Sequence, residues 1–255
     1  MWYLRAMRDP IPSTNLLKDI PDFTGFSPKA QSFLTGLTMN NEKVWFDAHR
    51  TEYETYLLQP MRAFVVAVGQ QLRPLMPKVV ADPRVGGSVF RMARDIRFST
   101  DKSPYKTWAA ARWWDSGGPS KETSAGYYFH IEAKSAYVGG GIYMFEDDQL
   151  DRYRKALDDP RTLRALRTVI TKMGDLEILG ASLKRVPRGF APDHPAGDLL
   201  RHKGIYAGRD IKSKALRTAG AVAEAFALFK QILPLNQWLM QHVVGSPGVR
   251  PARGK

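Results

Sequence analysis

The spacing of apolar residues changes period twice along this chain, and that change constrains its fold more than any single motif. Between residues 28 and 72 apolar side chains recur every three or four positions, first as Phe33, Leu34 and Leu37, then as Ala63, Phe64, Val65, Val68 and Leu72. Such a period gathers them on one side of a helix. From Ser88 to Tyr143 the pattern shortens to β-rich segments, Ser88 to Phe98, Trp108 to Trp114, Gly126 to Ile131 and Ala136 to Tyr143, separated by runs of Ser, Asp, Lys, Gly and Pro. Strands of that length joined by short turns read as an antiparallel meander. Helical spacing returns with Leu150, Tyr153 and Leu157, and again with Leu163, Leu166 and Ile170. The expected fold class is α+β, a central antiparallel sheet over about residues 88–143 packed by N-terminal and C-terminal helices.

Start and stop signals place the helices. Ser27-Pro28 is an N-cap followed by proline at the first helical position. Asn41 is a second cap, for a helix through Trp45, Phe46 and Tyr53 to about Leu58. Pro60 opens a third helix that ends at Pro74. Asp147 or Asp148 caps the next, and Pro160 opens the one after it. Residues 174–211, punctuated by Gly180, Pro187, Gly189, Pro192, Pro195 and Gly197, read as irregular. A last helix runs from about Ala215 to Leu233 and stops at Pro234, followed by a short amphipathic segment through Trp238 and Val243. The domain organisation expected is an extended arm over 1–22, one α+β domain over 23–244, and a disordered basic tail over 245–255.

The chain has 255 residues and no cysteine, which excludes disulfides, zinc-thiolate sites, iron-sulfur clusters and cysteine nucleophiles. Its net charge of +13 is uneven. Residues 1–150 hold 18 Lys+Arg against 16 Asp+Glu, whereas residues 151–255 hold 20 against 9. Lys184, Arg185, Arg188, Arg201, Lys203, Arg209, Lys212, Lys214 and Arg217 are therefore either an electrostatic footprint for nucleic acid or a solvated face. The opening M-W-Y-L-R-A-M-R-D-P lacks the features of a secretory signal, and no apolar run reaches about 18 residues, so a cytoplasmic protein without membrane association is expected.

Chemistry concentrates between Arg91 and Tyr105, where Arg91, Arg94, Asp95, Arg97, Asp101, Lys102 and Tyr105 alternate with Met92, Ile96 and Phe98. On a regular strand Arg91, Asp95 and Arg97 would share one face, with Arg94 on the other. Each guanidinium needs an anion if it is held against a core. Either Asp95 and Asp101 supply it, making the cluster internal scaffolding, or one or two arginines remain free to clamp a phosphate or carboxylate bidentately. Ser99 to Lys106 reads as a loop, with Ser103 held extended by Pro104. There Lys102 and Lys106 add point charges, Tyr105 offers a phenol, and Asp101 either caps the turn or acts as a base. The glycines of a phosphate-binding Walker loop are absent.

Two further clusters follow from periodicity. Trp45, His49, Glu52, Tyr53 and Tyr56 fall on one helical face, so His49 and Glu52 lie about a turn apart, either as part of a core stripe or as a site. On the strand after Gly126, His130 and Glu132 project from the same side. They form either a base with its orienting carboxylate or half of a metal site lacking its remaining ligands. No metal and no cofactor is expected, because no nucleotide fingerprint, zinc motif or serine-nucleophile motif is present.

The spacing Arg91, Arg94-Asp95, Arg97-Phe98, Asp101-Lys102 and Tyr105 resembles the signature of the DUF2461 family, bacterial proteins of unknown function. Phe23-Thr24-Gly25-Phe26, Asn40-Asn41, Trp45-Phe46, Gly139-Gly140-Gly141, Leu183-Lys184-Arg185-Val186-Pro187-Arg188-Gly189-Phe190 and His194-Pro195 extend the resemblance over most of the chain. It implies the α+β fold and no activity. The functional expectation is thus a phosphorylated or carboxylated small-molecule ligand at the Arg/Asp/Lys/Tyr cluster, with an undefined enzymatic role open beside it. Nucleic-acid binding through the basic C-terminal part and a purely structural or partner-binding role are the alternatives.

Overall fold

A computed structural model describes residues 19–212 and 214–245. The expected N-terminal arm lies largely outside them, as does nearly all of the expected tail. Helix α1 (Pro28–Met39) begins with the proline in its first turn. Helix α2 (Lys43–Ala48), a single turn Arg50–Glu52 and a π-helical turn Tyr53–Leu58 lead into α3 (Gln59–Leu72). Strand β1 (Val79–Val80) is followed by β2 (Ala109–Asp115), β3 (Gly126–Ile131) and β4 (Ala136–Ile142). Next come α4 (Asp147–Asp158), α5 (Pro160–Lys172), β5 (Ile178–Leu179), β6 (Ile205–Ile211) and α6 (Gly220–Leu239). The strands form one six-stranded antiparallel sheet in the order β1-β2-β3-β4-β6-β5, so the fold class is α+β as expected.

The chain packs as two compact units. The first comprises residues 19–113, 128–137, 210–212 and 214–226 of the described chain. Its core is aromatic: Phe64 lies 4.6 Å from Phe129 and 5.0 Å from Phe23, centroid to centroid, and Phe26 stacks on Phe129 at 5.6 Å. Such ring pairs add to their area burial by favourable quadrupole geometry. Trp113, fully buried, donates its indole N–H to the Val65 carbonyl at 3.0 Å, so its polar atom is satisfied where water is excluded.

The second unit comprises residues 114–127, 138–209 and 227–245 of the described chain. Helix α4 starts with a capping box between Glu146 and Gln149, not with Asp147 or Asp148 as the sequence reading had it. Asp159 caps α5, accepting from the Arg161 and Thr162 amides. Gly141 has φ of 133°, and a Cβ there would lie 2.5 Å from the Tyr206 Cα, so only glycine lets β4 approach β6 this closely.

Several expectations are corrected. Ser88 to Phe98 is not a strand, since only single bridges at Val89 and Ala93 pair it with Ala111 and Tyr105. Its polar side chains compete for the backbone instead: Asp95 accepts the Arg97 amide at 3.3 Å, and Lys102 donates to the Ile96 carbonyl at 3.0 Å. Phe98, one of the apolar residues among these charges, is 95% exposed. The sheet also reaches beyond residue 143, because the segment read as irregular supplies β5 and β6, paired through Ile178 with Ala207 and Leu179 with Tyr206. Glycines that look like loop punctuation here mark close strand approach, as at Gly180, whose Cβ would collide with the Gly204 carbonyl.

The helix expected from Asn41 to Leu58 breaks at His49, where φ and ψ are −106° and 18°, and is replaced by π-helical geometry from Tyr53. Glu42, not Asn41, precedes its first turn. Finally, α6 runs through Pro234. Ile232, Leu235 and Leu239 around it are completely buried, and that burial outweighs an interior proline's cost of about 3 kcal/mol.

Candidate functional site

Backbone pairing between residues 92 and 106 shapes the charged segment. Arg94 donates its amide to the Pro104 carbonyl at 2.9 Å, and Lys106 donates its amide to the Met92 carbonyl at 2.9 Å. Residues 95–103 are thereby closed into a loop. Asn41 holds the loop's base from outside: its Nδ2 donates to the Tyr105 carbonyl at 2.9 Å and its Oδ1 accepts the Tyr105 amide at 3.0 Å. One side chain thus satisfies both backbone groups of Tyr105, as a neighbouring strand would. The Tyr105 ring stacks on Phe46 at 4.2 Å, and burial pushes its phenol pKa up.

A cavity of about 480 Å³ opens beside this loop, lined by Asn41, Arg94, Asp95, Asp101, Ser103, Tyr105, Lys106, Thr107 and Trp108. That is the size of a small-molecule site. The arginines are mostly engaged within the protein. Arg94, half-buried, donates to Asp101 and, at 3.3 Å, to Ser99 Oγ. Asp101 accepts the Ser103 amide at 2.9 Å, so it caps the turn; hydrogen bonds from Ser103 and then Arg94 hold its carboxyl far below the usual range. Arg97 grips Asp95 bidentately, Nε at 3.0 Å and Nη2 at 2.7 Å, and lowers the Asp95 pKa. That pair is exposed, with Arg97 75% accessible. Arg91 is exposed, makes no ion pair among the described residues and does not line the cavity.

Lys106 differs from the other cations. Its Nζ donates to the Arg91 carbonyl at 2.8 Å and lies over the Trp108 ring at 5.1 Å and the Phe90 ring at 5.5 Å. No carboxylate pairs with it among the described residues. Burial, with the nearby Arg91 charge, pushes its pKa below the ordinary lysine value. The ammonium is therefore partly desolvated, held by a neutral carbonyl and ring faces, and has no carboxylate partner among the described residues. In the sequence pattern Lys106 stands only as an added charge, Asn41 only as a helix cap and Trp108 only as the start of a β-rich segment. The alternation of Lys106 and Trp108 entering β2 puts both on one face, whereas nothing local points Asn41 to Tyr105.

His130 and Glu132 do meet, Nε2 to Oε1 at 3.4 Å, with the Ser135 hydroxyl donating to Glu132 at 3.4 Å. Burial lowers the His130 pKa, partly opposed by Glu132 and Asp210. The ring stacks on Tyr137 at 5.6 Å and packs against Trp108 at 6.0 Å. No group of three His, Asp or Glu side chains that could hold a metal occurs among the described residues. His49 and Glu52 are not brought together: His49 stacks on Trp45 at 3.9 Å with Nδ1 2.8 Å from the Trp45 carbonyl, while Glu52 faces solvent. The break at His49 removes the shared helical face that the spacing implied.

The charged loop, the Asn41 clamp and the Trp45-Phe46 pair all fall within residues 29–238, which match the sequence model of a family described as "Conserved hypothetical protein (DUF2461)". The chain belongs to the DUF2461 family. A search of curated proteins finds no match. In this DUF2461 protein no helix among the described residues is long and apolar enough to cross a membrane. Of the basic C-terminal residues, Arg209 is paired with Asp175 at 2.7 Å.

Proposed function

We propose that this DUF2461 protein binds a small phosphorylated or carboxylated ligand in the cavity beside the 94–106 loop, with Lys106 as the anchoring charge and Trp108 as a flat wall. The observation that carries this reading is the half-buried ammonium of Lys106, which has no carboxylate partner among the described residues, whereas Arg94, the arginine that lines the cavity, is paired with Asp101. Arg94 and Asp101 act as the loop's internal brace, and Arg97 with Asp95 as its exposed rim. An entering anion would pair with Lys106, raise its pKa and relieve the cost of an unpaired desolvated charge.

Phosphate binding that is specific to the folded state raises its stability by linkage, by about 2.7 kcal/mol at a hundredfold excess over Kd. The expected result is a rise in melting temperature with inorganic phosphate at constant ionic strength that Lys106→Met abolishes and Arg97→Ala retains. A phosphate effect equal in wild type and Lys106→Met would overturn the reading.

A further inference from the structure

A second cavity, of about 560 Å³, lies wholly within the second unit, among residues 184–201. The backbone builds it by continuing the pairing of β5 with β6. Ser182 bridges His202, Leu183 donates its amide to the Arg201 carbonyl at 2.8 Å, and Lys203 donates to the Ala181 carbonyl at 2.7 Å. The chain between these paired ends closes on itself as a loop. Lys184 and Arg185 leave the pairing on one side and Arg201 enters it on the other, so three cations from opposite ends of the loop line one space.

The charges of that lining do not cancel. Its one carboxylate, Asp198, is gripped by Arg167 from outside the lining, Nη1 at 2.6 Å and Nη2 at 2.5 Å. Arg167 holds the Asp198 pKa below the usual range, so this acid is fully ionised and already matched. His194 accepts the Ala196 amide on Nδ1 at 3.0 Å, which leaves Nε2 as its protonated nitrogen, facing Asp158 at 3.2 Å. Lys184, Arg185 and Arg201 have no carboxylate partner among the described residues. Phe190, edge-on to His194 at 5.6 Å, forms an apolar wall beside them.

We infer that this cavity is a second anion site, one that takes a phosphorylated small molecule with its phosphate among Lys184, Arg185 and Arg201 and its remainder against Phe190. Three unmatched cations exceed what a single carboxylate neutralises, and a phosphate ester or diphosphate supplies the charge and the acceptor oxygens they require. The site is separate in its residues from the Lys106 cavity and stands or falls independently of it.

The test is calorimetric titration of the full chain carrying Lys106→Met with pyrophosphate at fixed ionic strength. This background removes the first proposed anchor. Binding is expected to persist there, and adding Lys184→Ala with Arg185→Ala, both on exposed side chains, should weaken it at least tenfold. Removing two exposed cations that line neither cavity, Arg73→Ala with Lys172→Ala, should leave it within twofold. No pyrophosphate binding in the Lys106→Met protein, or equal weakening by the two double substitutions, would overturn the assignment.

Discussion

Replacing Asn41 by alanine tests how the charged loop is held. Its side chain makes two hydrogen bonds to the Tyr105 backbone, at 2.9 and 3.0 Å, and no other element supplies those partners among the described residues. Each neutral bond contributes about 1 kcal/mol net, and a part-buried amide or carbonyl left without a partner costs about 1–3 kcal/mol. Both residues are half-buried, so water can reach the vacated groups and the lower part of the range applies. The expected loss is about 2 kcal/mol in urea denaturation at unchanged m-value, together with weaker phosphate binding because Tyr105 and Lys106 lose their fixed position. Asn41→Asp keeps the acceptor but sets a carboxylate against the Tyr105 carbonyl, and should be no more stable than the alanine variant. A loss below about 0.5 kcal/mol with phosphate affinity intact would refute the view that Asn41 holds the site.

Three further outcomes are expected. Gly141→Ala should destabilise by more than about 2 kcal/mol or prevent soluble expression, since the side chain meets β6 backbone at a positive φ; wild-type stability in denaturation would contradict this. Burial lowers the pKa of His130 and of His202, so the folded protein takes up each proton at a lower pH than the unfolded chain, which does so near pH 6.5. Stability should therefore fall as pH drops below about 6.5 and level off below the depressed folded values, and His130→Gln should make that fall shallower in a pH series of melts. Asp95→Asn should leave the melting temperature close to wild type, because its pair with Arg97 is solvated; a large loss would mean that the pair is a folding device.

Local signals that rest on one residue's chemistry were readable in the sequence. Pro28, Pro60 and Pro160 sit in the first turn of their helices, and the strands between Ala109 and Ile142 lie within a residue of the β-rich segments that the sequence marks. Signals that depend on a distant partner were not. Pro234 lies inside a helix because tertiary burial overrides propensity, and Gly180 and Gly204 mark strand contacts that local punctuation resembles. The same holds for the site. The pairing of Asp101 with Arg94 and of Asp95 with Arg97 follows from short sequence separation. Asn41 reaching Tyr105 across 64 residues, and the lack of a carboxylate partner for Lys106 among the described residues, emerge only when the loop closes.

The pKa of Lys106 itself separates a partly buried ammonium awaiting an anion from an ordinary surface lysine. Lysine side chains labelled at Cε can be followed by NMR across an alkaline titration, with Lys106→Met assigning the resonance. Lys106 should titrate below the ordinary value of about 10.4 in the free protein, and saturating inorganic phosphate should move it upward while exposed lysines do not respond. An ordinary Lys106 titration, identical with and without phosphate, would contradict both.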